Sequence, residues 1–483
     1  MKFVIKLFSE ITIKSKPVRK RMVIQLRRNI KEVLTVSGVE ASVQGQWDAV
    51  EVDIKDDSQE HKAVDALCRV PGVARVLTVK DYSFKTFDDI LDIARETYAE
   101  TIKDKTFCVR VKRSGQHDFR SIDVERYVGG GLLKQTEAKG VKLKDPDVEV
   151  KMEIRKQRLL TISAVNNGMG GFPIGCQGSV MSLISGGFDS NVASYLMIRR
   201  GLMTHYCFFN LGGTAHEVGV KQVAHYIWKT YGASQGVKFV TIPFEDVVGE
   251  ILKQVDNSQM GVILKRMMLR AASQVAAQLK IEALVTGEAI AQVSSQTLRN
   301  LSVIDSVTDT LVLRPLVAMD KTDIVDLSRK IGTYDFAATM PEFCGVISVK
   351  PTTHAKIEKV EGEEAKFDFA VLNEAIANAR IEKIQNVLAS SEGIADIELV
   401  AIPNAEDVII DIRSDVEREA KPLTLTNNEV RCIPFFELGQ HKEDFKDQRN
   451  YLLYCDKGTM SQMHAQQLKQ QGFGNIKVFK PKA

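Results

Sequence analysis

Val180-Met-Ser-Leu-Ile-Ser-Gly-Gly-Phe-Asp-Ser190 decides how the rest of this chain is read. An apolar run, Val180 to Ile184, has the composition of a buried strand. Ser185, Gly186 and Gly187 make a turn, and a helix-like segment from Asp189 to Arg200 follows and stops at Gly201. Strand, glycine turn and helix start in that order form an anion cradle. The glycines let backbone N–H groups approach closely, and the helix start adds its positive dipole end at the same spot. The loop lacks a Gly-Lys-Ser/Thr ending, so it carries no lysine of its own to reach terminal phosphates.

Beyond this loop the patterns alternate. Strands at Thr204 to Asn210, Lys238 to Ile242, Ala283 to Thr286 and Leu311 to Leu313 are interleaved with helices at Glu217 to Tyr231, Val262 to Leu279 and Lys321 to Ile331. The alternation predicts a doubly wound parallel sheet, whose ligands bind beyond the carboxyl ends of its strands. Ser185 to Ser190, Asn210-Leu-Gly-Gly213 and Gly287-Glu288 would then share one rim. Lys265 offers charge for phosphate, Gly287 allows close backbone approach, and Gln296 offers polar contacts. The stripe Ile263, Met267, Met268 and Leu269 reads as core. Lys321 reads either as a phosphate ligand or as a surface lysine at a helix start.

Composition sets the class. Of 483 residues, 44% are hydrophobic and 26% charged, and no apolar run approaches the roughly 20 residues needed to span a bilayer. Lys2 and Lys6 interrupt the N-terminal run, which lacks a secretory signal's apolar core; a cytoplasmic protein is expected. Seven cysteines without a Cys-x-x-Cys pair fit neither a disulfide framework nor a usual zinc or iron–sulfur site, and no metal ligands are assigned. Charge is uneven beneath a net +3. Met1 to Val50 holds ten Lys/Arg against four Asp/Glu, and Thr101 to Leu160 fifteen against nine, whereas Pro351 to Ala420 holds seven against sixteen. A basic front suits a polyanion.

In that front, Lys2 to Phe8 alternates as a strand, and Lys16 to Leu34 reads as a helix whose charged face, Arg19, Lys20, Arg27, Arg28 and Lys31, is taken as solvated. Thr106 to Arg113 is a strand with Arg110 and Lys112 on one face and Val109 and Val111 on the other. Arg110, Lys112, Arg113, Arg120 and Arg126 are candidate contacts to RNA phosphates. His117 is left unassigned. Asn166-Asn-Gly-Met-Gly-Gly-Phe-Pro173 reads as a linker. At the far end, strands at Val408 to Arg413, Asn450 to Tyr454 and Ile476 to Phe479 precede or flank Cys455 and a helix from Ser461 to Gln470. A cysteine among backbone N–H groups at a helix start should be held as a thiolate.

Several of these stretches resemble known families. Ser185-Gly-Gly-Phe-Asp-Ser190 resembles the pyrophosphatase loop of enzymes that cleave ATP between the α and β phosphates and adenylate a substrate oxygen. Phe107-Cys-Val-Arg-Val-Lys-Arg-Ser-Gly-Gln-His-Asp-Phe119 with Ser121-Ile-Asp123 resembles the THUMP module of tRNA-modifying enzymes. Asp411-Ile-Arg413 with the Cys455 loop resembles a rhodanese domain. With Lys2 to Phe8, Cys207 to Gly213, Gly287-Glu-Ala289 and Met340-Pro-Glu-Phe-Cys-Gly345, the whole chain resembles the tRNA 4-thiouridine synthetases.

That resemblance implies an α/β multidomain chain: a ferredoxin-like domain over 1–60, THUMP over 61–165, an adenylation domain over 174–345, a connector over 346–403 and a rhodanese domain over 404–483. It implies ATP contacts at Leu183, Ile184, Lys265, Gly287 and Gln296, and phosphate held by Ser185, Gly186, Gly187 and Ser190, with Mg2+ and Asp189 aligning the chemistry. Cys455 would carry a persulfide from a cysteine desulfurase, and Cys344 would close a disulfide with it that a thiol reductant reopens. Further implications are 4-thiouridine at tRNA position 8, sulfur donation to the carrier protein of thiamine thiazole synthesis, and a homodimer. An amidating or lysine-attaching ATP pyrophosphatase would leave Cys344 and Cys455 idle. An iron–sulfur thiolation enzyme would need the missing Cys-x-x-Cys.

Overall fold

The computed structural model describes residues 1–45, 49–211, 214–340, 350–388, 397–413, 418, 421–423, 425, 427–433, 438, 441–455 and 459–481. It divides into two compact units, Met1–Cys176 with Arg199–Gly201, and Gln177–Ile198 with Leu202–Ala483. No helix among the described residues is long and apolar enough to cross a membrane.

The first unit is built on one eight-stranded sheet. Its strands are β1 (Lys2–Leu7), β2 (Ala41–Gly45), β3 (Ala49–Ile54), β4 (Val73–Ser83), β5 (Thr106–Ser114), β6 (Gly140–Val141), β7 (Val148–Arg155) and β8 (Arg158–Asn167), in the order β2-β3-β1-β4-β8-β7-β5-β6. Period-two alternation sends Phe3, Ile5 and Leu7 to one face, where they join Leu26 and Ile30 of helix α1 (Lys16–Val36). Helix α2 (Glu60–Cys68) adds Ala63 and Leu67 to that same core. Residues 61–76, grouped with THUMP by sequence, therefore pack with the N-terminal strands, because Val70, Val73 and Val76 close this core rather than the next one.

Toward the β5–β6 end of the sheet, α3 (Phe87–Ile102) and α4 (Ser121–Gln135) cover Val109, Val111, Met152 and Ile154. A Cβ on Gly131 would overlap the Leu91 side chain, so the triple glycine lets the two helices close together. The opposite face carries a small apolar patch, Val4, Leu77, Val79 and Leu160, and an ionic lattice. Arg155 reaches Glu51 at 3.0 Å and Glu153 at 3.1 Å, Lys6 reaches Glu153 at 2.7 Å, and Lys2 reaches Asp81 at 2.8 Å. Burial pushes the Glu153 carboxyl up, but Lys6 and Arg155 outweigh it and hold it below the usual carboxylate range.

The second unit holds two sheets. The six-stranded one contains β9 (Ser179–Leu183), β10 (Met203–Asn210), β11 (Lys238–Pro243), β12 (Ala283–Val285), β13 (Leu311–Leu313) and β14 (Arg380–Lys383), ordered β13-β12-β9-β10-β11-β14. The first five are parallel, as the alternation predicts, and β14 is antiparallel to β11. That edge strand lies inside the stretch 346–403 that the resemblance assigns to a connector. Residues 350–388 are thus built into this domain: helix α9 (Ile357–Glu364) buries Glu364 on Arg266 of α8 (Met260–Gln278), with Nη2 to Oε2 at 2.6 Å, and α10 (Phe369–Ala377) packs against α8 and α7 (Glu245–Gln254).

The last sheet comprises β15 (Leu399–Val400), β16 (Val408–Asp411), β17 (Val430–Cys432), β18 (Tyr451–Tyr454) and β19 (Ile476–Phe479), all parallel and ordered β15-β19-β18-β16-β17. Helix α11 (Thr459–Gln470) covers one face with Ala465 and Leu468.

Candidate active site

The chain leaves β9 toward β10 and β11 on one side and toward β12 and β13 on the other, so the carboxyl end of β9 is a topological switch point, where such sheets bind ligands. Ser185 to Ser190 lies there. Gly186 has φ +84°, a conformation that disfavours any side chain, and the loop is tied internally. Asn191 Nδ2 donates to the Gly186 carbonyl at 2.8 Å, Ser190 Oγ donates to the Gly187 carbonyl at 3.2 Å, and the Ser185 N–H donates to Ser190 Oγ at 3.2 Å. Helix α5 (Phe188–Arg199) then points its amino end into the rim.

Gly287 has a different reason to be glycine from the one sequence suggested. A Cβ there would stand 2.7 Å from the Asp189 carbonyl carbon and from the Ser190 nitrogen, so the absent side chain lets the end of β12 abut the start of α5. The tight approach is backbone to backbone. Met340 packs over Gly186, its Sδ 3.1 Å from where a Cβ would sit.

Two carboxylates organise the cations. Glu288, buried, accepts from Lys265 Nζ at 2.5 Å, from Arg314 Nε at 2.9 Å and from Thr286 Oγ1 at 3.0 Å. Burial alone would raise its pKa, yet Lys265 and Arg314 prevail and hold it below the usual range. Asp189 accepts from Gln292 Nε2 at 2.7 Å and from Lys321 Nζ at 2.7 Å. Of the two readings for Lys321, the ion pair favours the one that faces the loop. Gln296 lies in a short 3₁₀ turn, Ser294–Gln296, and its side-chain oxygen accepts from the Ala289 N–H at 3.3 Å.

Cys455 follows β18 in the other sheet. Its Sγ accepts from the Ser461 N–H at 3.4 Å, in the first turn of α11, and lies 3.5 Å from Ser461 Oγ. On the next strand Arg413 grips Asp411 with two parallel bonds, 2.9 and 2.7 Å, and stacks over Tyr454 at 4.9 Å. Both members are buried, so the strand end beside the cysteine is rigid. Helix α11 packs against α6 (Thr214–Ile227), which follows β10 of the six-stranded sheet.

Comparisons with known proteins bear on this geometry. Residues 175–369 match the family model described as thiamine biosynthesis protein (ThiI), residues 84–163 the THUMP domain, and residues 2–76 the ThiI ferredoxin-like domain. Proteins named tRNA sulfurtransferase from Shewanella amazonensis and Shigella dysenteriae serotype 1 are 53% and 52% identical, each over 100% of both chains. The chain belongs to the tRNA sulfurtransferase family. A crystal structure of a 4-thiouridine synthetase in complex with RNA and bound ATP is 26% identical, with a TM-score of 0.69 over 79% of this chain and 99% of that one. A Pyrococcus horikoshii Ot3 protein at 18% identity and a TM-score of 0.54, covering 69% of this chain and 100% of that one, shares the fold.

In this member of the tRNA sulfurtransferase family, Leu183, Ile184, Ser185, Gly186, Gly187, Asp189, Ser190 and Gly287 gather at the switch point, and Glu288 brings Lys265 to the end of the neighbouring strand. Cys344 lies outside the described residues, as do Gly212, Gly213 and residues 456–458 of the Cys455 loop. The five RNA candidates divide. Arg110 and Lys112 sit on the sheet face away from the helices, because Val109 and Val111 take the helix side; Arg120 is the N-cap residue of α4 and Arg126 lies on that helix. Arg120 is paired with Asp123 at 3.1 Å, and Arg113 donates to the His117 carbonyl. His117 itself is structural, bonded to the Lys156 carbonyl at 2.8 Å.

Sequence reading missed His216. Its Nε2–H donates to the Ser185 carbonyl at 3.0 Å, and burial lowers its pKa to about 4 despite that bond, so a neutral imidazole props the loop from behind. No spacing marks it; only its place in the first turn after β10 would have.

Proposed function

We propose that this chain transfers sulfur to C4 of a uridine in tRNA, using ATP to activate the C4 oxygen. The observation that carries the reading is that one compact unit contains a phosphate loop at a switch point and a cysteine received at a helix start, with the cysteine's helix packed on the helix that backs the loop. The names of its relatives and the ATP and RNA in the related crystal structure support it.

In this reading the Ser185–Ser190 loop, Leu183, Ile184, Gly287 and Gln296 bind ATP, and Lys265 and Lys321 face its phosphates. Asp189 would be the residue to hold a Mg2+ ion, a hard cation that suits a carboxylate oxygen and would supply charge neutralisation for the leaving pyrophosphate. The uridine C4 oxygen attacks the α phosphorus and pyrophosphate leaves. The outer sulfur of a Cys455 persulfide then attacks C4. Cys344 attacks the inner sulfur, the S–S bond of the persulfide breaks toward the uridine, AMP departs, and a Cys344–Cys455 disulfide remains for a thiol reductant to open. A cysteine desulfurase reloads Cys455. Arg110, Lys112, Arg113, Arg120 and Arg126 contact RNA phosphates, and sulfur donation to the thiazole carrier protein would draw on the same Cys455 persulfide.

The test is sulfur incorporation into unmodified tRNA with Mg-ATP and a cysteine desulfurase. Wild type should form 4-thiouridine, and Cys455→Ala and Asp189→Ala should not. Full activity in Cys455→Ala would sink the sulfur route, and full activity in Asp189→Ala the activation step.

A further inference from the structure

Glu288 holds two cations, and it holds them differently. Its Oε1 accepts from Lys265 Nζ at 2.5 Å, whereas Oε2 accepts from Arg314 Nε at 2.9 Å and from Thr286 Oγ1 at 3.0 Å. Among the described residues Lys265 Nζ has no other partner, so two of the three N–H groups of its ammonium are uncommitted. Arg314 reaches onward to Asp305 with two parallel bonds, Nη1 at 2.8 Å and Nη2 at 2.6 Å. Asp305 closes the helix Leu298–Asp305 and Arg314 directly follows β13, so this brace joins two fixed element ends. The Lys265 side chain is 19% exposed, against 12% for Arg314 and 9% for Glu288, while Asp305 is 39% exposed.

A lysine paired with a buried carboxylate is neutralised and has little to offer a phosphate. Parting the two without compensation would leave a buried charge alone, which is strongly unfavourable. Here the compensation is already in place. When Lys265 leaves for an anion at the strand ends, Glu288 keeps Arg314 and Thr286 on Oε2, and the negative charge left over falls to Asp305, the most exposed member of the group. Arg314 is also one of the two cations that hold the Glu288 carboxyl ionised against its burial. The path is short, because the residue before Glu288 is Gly287, whose backbone abuts Asp189 and Ser190 of the phosphate loop.

We propose that Glu288 is the resting partner from which Lys265 is handed to the phosphates of the nucleotide, and that Arg314, braced on Asp305, is the positioning residue that satisfies Glu288 once Lys265 has gone. This rests on the ATP reading above and adds to it two residues that hold no phosphate themselves. Nucleotide affinity is then set by a competition between Glu288 and the phosphates for one ammonium, and Arg314 sets how strongly Glu288 competes.

The experiment measures the Kd for Mg-ATP and the rate of tRNA-dependent pyrophosphate release in the full chain, with thermal melts alongside. Arg314→Gln leaves Lys265 as the only cation on Glu288, so the lysine is retained there and the Kd should rise about tenfold, as the fraction able to receive phosphate falls by that factor. Glu288→Gln releases Lys265 but no longer aims it, so the Kd should hold or fall while pyrophosphate release slows severalfold. In the double variant no carboxylate is left to retain the lysine, and the Kd should return to within about threefold of wild type. In a Lys265→Met background, Arg314→Gln should leave the Kd where Lys265→Met alone put it. If Arg314→Gln loses thermal stability, Asp305→Asn, which only loosens the brace at its exposed end, decides instead by raising the Kd in the same direction. Equal weakening in Arg314→Gln and Glu288→Gln that adds in the double variant, with wild type binding ATP and thiolating tRNA, overturns the handover and leaves the function standing. An effect of Arg314→Gln on the Kd that persists in full without Lys265 overturns it as well. Wild type that binds no ATP overturns both.

Discussion

Gly287→Ala tests whether the switch point is held by backbone contact. The added methyl would stand 2.7 Å from two main-chain atoms, the Asp189 carbonyl carbon and the Ser190 nitrogen. Neither can rotate away as a side chain would, and the gap is about 0.7 Å short of an ordinary carbon contact. Either β12 or the start of α5 must move by that amount. Overpacking of this kind costs about 1–3 kcal/mol of stability. Its effect on activity should be larger, because the displaced atoms open the phosphate loop and carry Asp189. With misplacement near 1 Å costing about a hundredfold, ATP-dependent pyrophosphate release should fall roughly 10- to 100-fold. Gly187→Ala is the control for stability, since its Cβ would meet only Ser185 Oγ at 3.8 Å. Thermal melts and pyrophosphate release, run on both variants, separate the cases. Wild-type turnover and ATP affinity in Gly287→Ala would refute the argument that this approach fixes the loop.

Further outcomes follow from other contacts. His216 is neutral in the folded chain down to about pH 4, whereas its ordinary value is 6.5. Between those values the unfolded chain binds the extra proton, so stability should fall as pH drops from 6.5 toward 4, by about 3 kcal/mol in all; urea melts of His216→Asn should lack that portion of the slope. Arg266→Ala leaves Glu364 buried without its main partner and should cost about 3–5 kcal/mol in denaturant melts, and Arg266→Met with Glu364→Leu should recover most of it. Ser461→Ala removes a hydroxyl but keeps the N–H on Cys455 Sγ, so persulfide loading from a desulfurase, followed by alkylation and mass, should drop severalfold at most; Ser461→Pro, which removes the N–H, should lose far more.

What could be read from the chain followed from local rules. Val180 to Ser190 announced strand, turn and helix start, and each stands where the pattern put it. Val408 to Arg413 read as a strand, which ends at Asp411, and Arg413 folds back on that aspartate. What escaped depended on distant partners. Nothing near Glu288 in sequence tells that Lys265 and Arg314 converge on it, since the first lies on another helix and the second on another strand end. Gly287 reads in sequence as a place where backbone approaches a nucleotide, whereas the chain that abuts it in the structure is Asp189, almost a hundred residues earlier. Strand β14 escaped because its pairing partner, β11, supplies the reason for its extension, and a short edge strand has little pattern of its own.

The first unit's sheet has a mechanical consequence. Strands β4 and β8 pair over nine residues, and on the open face Arg155 and Lys6 form ion pairs that cross that seam, to Glu51 and Glu153. Bending there would break ladder bonds and buried ion pairs together, so the N-terminal strands and the THUMP strands form a stiff plate with no hinge. A push on one edge is therefore passed to the other as a tilt of the whole sheet and is not taken up as a bend at the join.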